Sequence, residues 1–88
     1  MDNGNLTQKL TLADLKPGEV GQIIAVDAAP AVRHRLMDFG FRKGESVTMV
    51  RTAPLSDPIE FKLRGGYVSL RRMEAMQVEI RNEAGNDE

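Results

Sequence analysis

The chain holds no cysteine and no tryptophan, a single histidine, a single tyrosine and three phenylalanines. Without cysteine, neither a disulfide framework nor a thiolate metal site can form. With His34 alone, a metal centre would have to lean on scattered carboxylates, and none of these stands at a ligand spacing, so no metal site and no cofactor is expected. His34 also falls nearly opposite the apolar stripe of the one helix identified below, which makes it a solvated residue, paired at most with Asp38 one turn on. No serine nucleophile has a base at a suggestive spacing, so the sequence offers no catalytic centre. Long apolar runs are missing too. Nothing approaches the roughly 20 residues that cross a bilayer, and the polar start Met1-Asp2-Asn3-Gly4-Asn5 is unlike a signal peptide, so a soluble cytoplasmic domain is expected.

The 88 residues make one domain, and a domain of this size buries only about 60% of its unfolded surface. Net charge is −1, but it is unevenly spread: −2 over residues 1–30, +5 over 31–72 and −4 over 73–88. The basic middle can attract phosphate or an acidic partner surface, or can be the solvated side of strands. Single-strand nucleic-acid binders add aromatic stacking platforms. Here only Tyr67, Phe39, Phe41 and Phe61 are available, at least two of the phenylalanines look buried, and the sequence pI is about 5.8. No nucleic acid is therefore expected as a partner. Residues 40–46 resemble a phosphate loop only faintly, lacking the Gly-Lys-Ser/Thr ending and following a helix instead of a strand.

What is present is one convincing helix among short strands. Pro30 suits a first helical turn, where its missing N–H goes unneeded. Val32, Leu36 and Phe39 stand at i, i+4 and i+7, a narrow stripe predicting a helix over about residues 30–39 with those three facing the core. Gly40 sits where a left-handed C′ residue ends such a helix, and Phe41 follows as a hydrophobic lock. Earlier, Thr11 can cap a single turn through Asp14, with Leu12 and Leu15 pointing inward. Pro17-Gly18 then suits the central positions of a type II turn, and Arg42-Lys43-Gly44-Glu45 repeats its Gly-Glu ending. Each turn launches a strand.

Strands are expected over residues 19–26, 46–53, 59–64, 67–70 and 77–80. In the third, Ile59, Phe61 and Leu63 alternate with Glu60, Lys62 and Arg64, the pattern of a half-buried strand. Residues 54–58, with two prolines and an Asp, form a loop. Gly65-Gly66 reads as a hairpin turn, and residues 71–75 as one helical turn. Residues 1–8 should be loose and residues 82–88 a disordered acidic tail, leaving a domain over 9–81. About five short strands, one inserted α-helix and glycine corners predict a mainly β fold, a small, partly open antiparallel barrel with the helix over one opening.

The remaining surface signal is apolar. Met37 lies roughly 140° from Val32 around the helix, so it leaves the core stripe and sits beside Arg33. Leu55, between two prolines at a loop tip, is equally hard to bury. A Met and a Leu rimmed by Arg33, Arg42 and Arg71 would make a contact patch; packing against neighbouring loops is the other reading.

The order of these pieces resembles the FeoA family over about residues 10–80. Leu12-Ala13-Asp14-Leu15-Lys16-Pro17-Gly18-Glu19 is similar to its opening, and residues 35–45 to its Arg-Leu-x-x-x-Gly-(Leu/Phe)-x-x-Gly segment. Residues 53–58 are similar to its Ala-Pro-Leu-Gly-Asp-Pro loop, with Ser56 where Gly is usual, and residues 70–75 to its Leu-Arg-x-x-Glu-Ala turn. The resemblance implies an SH3-like barrel and a non-enzymatic accessory of bacterial ferrous-iron uptake. Its implied partner is the cytoplasmic G-domain region of the FeoB transporter, with the membrane met only through that transporter. Self-association stays open. A free-standing regulatory module, akin to the C-terminal domain of iron-dependent repressors, is the alternative, though the chain has no helix-turn-helix with which to read DNA.

Overall fold

The computed structural model describes residues 9–82; the loose start and the acidic tail expected from the sequence lie outside the described residues, except that Asn82 is the last residue of a strand. Six antiparallel strands form one sheet: β1 (Leu10–Thr11), β2 (Val20–Val26), β3 (Ser46–Thr52), β4 (Ile59–Leu63), β5 (Gly66–Leu70) and β6 (Val78–Asn82), in the order β1-β6-β2-β3-β4-β5. The fold is mainly β, as expected, with the sheet left open at β1 and β5. The sixth strand, β1, has only two residues, too short to show a period of its own, and its register on Ile80 and Glu79 is set by β6.

The alternation read from the sequence decides the core. Val47 and Met49 of β3, Ile59, Phe61 and Leu63 of β4, and Val78 and Ile80 of β6 are all buried. Irregular register within β2 (between Ile23 and Ala25) and within β3 (between Met49 and Arg51) bends the sheet in the way bulges do. At Gly21 of β2 the Ile80 side chain of β6 fills the space a Cβ would need: a Cβ there would lie 2.5 Å from Ile80 Cδ1.

Both launching turns form. Glu19 N–H donates to the Lys16 carbonyl at 2.9 Å and Glu45 N–H to the Arg42 carbonyl at 3.0 Å, with Gly18 and Gly44 at φ 89° and 95°. They also extend the sheet, since Gly18 N–H reaches the Met49 carbonyl and Gly44 N–H the Ile23 carbonyl, each at 2.7 Å. Thr11 caps a 3-10 turn over Leu12–Asp14 with Asp14 bonding back to it, and Leu12 and Leu15 are buried. In the β4–β5 hairpin Leu63 pairs with Gly66, so the two turn residues are Arg64 and Gly65, one position earlier than the glycine pair suggested.

The helix α1 (Pro30–Asp38) carries the main correction. Leu36 is fully buried and Val32 packs half-buried against the core, but Phe39 is 46% exposed. The reason is how the helix ends. Gly40, at φ 107°, donates its N–H to the Met37 carbonyl, and Phe41 donates to the Leu36 carbonyl, each at 3.0 Å. This pair of bonds is a Schellman motif, whose hydrophobic contact joins the residue after the glycine to the one five positions earlier. Phe41 therefore takes the core position beneath Leu36, edge-on to Phe61 at 6.2 Å between ring centroids, and Phe39 is left at the rim. A second short helix, α2 (Arg72–Ala75), is the helical turn expected near Met73.

Candidate functional site

The sequence-derived contact residues all reach the surface. Leu55 is 90% exposed and Met37 37% exposed, and Arg33, Arg42 and Arg71 are exposed. They fall into two groups. At the end of α1, Arg42 Nε donates to the Met37 carbonyl at 3.1 Å, with Arg33 one turn before Met37 on the same helix. At the other, Leu55 tips the loop over residues 53–58, and Arg71 borders the same depression as Asp57 and Pro58.

That loop is held from both ends. Ala53 N–H donates to the Pro58 carbonyl and Ser56 N–H to the Ala53 carbonyl, at 2.9 and 2.8 Å, and the Asp57–Pro58 peptide is cis. Ser56 sits at φ 71°, the left-handed region in which glycine is the least strained residue. Arg72 then clamps the loop from α2. Its Nε and Nη2 donate to the Ser56 carbonyl at 3.1 and 3.0 Å, its backbone N–H to Asp57 Oδ1 at 2.9 Å, and its Nη1 to the Ala13 carbonyl at 3.3 Å. The guanidinium serves two carbonyl acceptors at once because its donors are fixed in one plane. Leu55 is thus presented on a preorganised loop, which lowers the ordering entropy lost on binding.

The two groups are joined through α2. Glu74 accepts from the Arg71 N–H at 2.9 Å with one carboxylate oxygen and from the Arg35 guanidinium of α1 with the other. No local pattern announces this bridge, because Arg35 and Glu74 are far apart along the chain. On the outer face of the sheet, Arg51 bonds Glu60 at 2.8 Å, and that hydrogen bond and charge raise the Arg51 pKa above its ordinary value. It stays a cation at any working pH.

Residues outside that patch also reach solvent. Phe39 and Tyr67 line a groove of about 320 Å³ between the end of α1 and the tip of the β4–β5 hairpin, with Leu63 and Val68 at its floor and Arg64 paired to Glu45 at 3.7 Å. Met73 and Met76, 75% and 58% exposed, project from α2. The Phe39 position was legible in principle, since the residue just before a C′ glycine is a cap and not part of the stripe. The two methionines were not, because a single helical turn shows no periodicity. Among the described residues, no group of three or more His, Asp or Glu side chains converges as a metal site would require, and no helix is long and apolar enough to cross a membrane.

Comparison with known proteins adds the rest. The family model described as the FeoA domain matches residues 10–82. A fusion of Fe(2+) transport protein A with the Fe(2+) transporter FeoB, from Porphyromonas gingivalis, is 34% identical over 71 residues, covering 81% of this chain; the aligned part is 8% of the fusion protein. The solution structure of FeoA from Chlorobium tepidum superposes with a TM-score of 0.82 at 40% identity, over 89% of this chain and 74% of that one. FeoA of Stenotrophomonas maltophilia, a procaryotic SH3 domain protein crystallised with zinc, gives 0.72 at 30% identity, over 82% and 89%. A manganese-dependent transcriptional repressor, at 16% identity and a TM-score of 0.76, shares the fold alone, over 85% of this chain and 37% of its own.

Proposed function

This chain belongs to the FeoA family, and from that premise we propose that it is a non-enzymatic cytoplasmic accessory of ferrous-iron uptake that docks on the G-domain region of a FeoB-type transporter. The observation that carries the reading is the fusion of a similar segment to FeoB in one polypeptide. Covalent linkage raises the effective concentration of two modules that meet, commonly to the millimolar range. Two separate genes for such a pair would need an interface of their own instead.

The surface proposed for that contact has two parts, Met37 with Arg33 and Arg42 on and just after α1, and Leu55 with Arg71 at the loop over residues 53–58. Apolar anchors ringed by arginine suit an acidic partner face with a pocket, where a few desolvated anchors supply most of the affinity. Binding is read by titrating the isolated G-domain of the transporter, and separately duplex DNA, into this protein. Met37→Asp together with Leu55→Asp should weaken the G-domain complex at least tenfold and leave the circular dichroism spectrum unchanged. A salt-sensitive DNA complex with no response to the G-domain would overturn the reading in favour of a regulatory module. Unfolding of the double variant would show that these side chains belong to the core.

A further inference from the structure

The β5 edge of the sheet is open, and we propose that it pairs with β5 of a second copy of this chain to form a two-fold dimer, a contact independent of the transporter reading. The register of the hairpin settles which backbone groups are available. Leu63 and Gly66 flank a two-residue turn, so they exchange both their hydrogen bonds, and in an antiparallel ladder such pairs alternate. Val68 and Leu70 bond to Phe61 and Ile59 in the same way. The N–H and C=O groups of Tyr67 and Ser69 then point away from β4, and among the described residues nothing bonds to them.

Edge strands are usually blunted by a charge, a proline or a bulge, because an open ladder invites another strand. The β5 sequence Gly-Tyr-Val-Ser-Leu has none of these, and its pairing with β4 is regular. The opposite edge, β1, offers only two residues. An occupant of the β5 edge must set no like charges face to face across the new ladder, and it must carry an apolar residue facing the groove beside Val68 and Phe39. It must also place something small opposite Tyr67, which is 61% exposed. The chain itself contains a segment with all three properties, β5.

A two-fold axis through Val68 sets Tyr67 opposite Ser69 of the second copy and Ser69 opposite its Tyr67. Each of those two facing pairs exchanges two hydrogen bonds, so the edge is satisfied without a shift of register. Val68 meets Val68 on the groove side, and each tyrosine ring lies over the small serine that faces it. The contact uses the same patch on both copies and consumes the longer of the two sheet edges among the described residues, so assembly stops at two.

The test follows mass by analytical ultracentrifugation across a wide concentration range and amide exchange by NMR. Tyr67 and Ser69 are outward positions, so substitutions there spare the bonds to β4. In the wild type, dimer should grow with concentration while the Tyr67 and Ser69 amides slow at least tenfold. Y67E/S69E, which faces carboxylate with carboxylate, should remain monomeric. Y67E/S69K, which faces opposite charges in this register, should regain the dimer. A monomer at every concentration overturns the proposal, as does a dimer whose two amides still exchange freely or one that Y67E/S69E leaves intact. Protection that arises only when the transporter G-domain is added overturns it as well, and gives the edge to that partner.

Discussion

Replacing Phe41 by alanine tests how the end of α1 builds the core. Phe41 is fully buried, lies under Leu36 through the helix-ending motif and meets Phe61 edge-on. Truncating a buried phenylalanine costs roughly 3–5 kcal/mol, of which the aromatic pair accounts for about 0.5–1.5 kcal/mol. At about 0.05–0.15 kcal/mol per residue, a chain of this length has roughly 4–13 kcal/mol in total, so the substitution removes a large share of it. Phe39, two residues earlier, keeps almost half of its surface in water. Full burial of such a side chain is worth about 1.5–3 kcal/mol, and Phe39→Ala should therefore lose only about 1 kcal/mol. Urea unfolding followed by far-ultraviolet circular dichroism measures both, since the chain has no tryptophan to report by fluorescence. Unchanged m-values would place the effect in stability and not in the compactness of either state. A Phe41→Ala, Phe61→Ala cycle should return the aromatic coupling. Equal losses for Phe39→Ala and Phe41→Ala, or a larger one for Phe39→Ala, would refute the assignment of Phe41 to the core.

Arg72→Ala should free the loop carrying Leu55: about 1–3 kcal/mol is at stake in its charged hydrogen bonds, and the Ser56 amide, bonded to Ala53, should exchange faster. A protected Ser56 amide in that variant would show that the loop holds itself. Gly21→Ala forces a methyl into Ile80 and should destabilise by about 1–3 kcal/mol, seen as a lower Tm; an unchanged Tm would mean that β6 yields without strain.

The pieces whose physics is local were readable along the chain. Alternation placed Phe61, Val47 and Val78 inward because successive strand residues face opposite sides of the sheet. Thr11 with Asp14, and the glycines of the two launching turns, named their own geometry because each depends on four neighbouring residues. Gly40 marked the helix end for the same reason. Which phenylalanine turns inward was a tertiary decision, since the chain reverses at Gly40 and brings Phe41 back under Leu36, leaving Phe39 at the rim. Strand order, the Arg35–Glu74 bridge and the grip of Arg72 on residues 53–58 join segments distant in the chain, and no local pattern encodes them. The open edge of β5 belongs there too: a strand's own sequence shows that it alternates, but only the assembled sheet shows which strand is last.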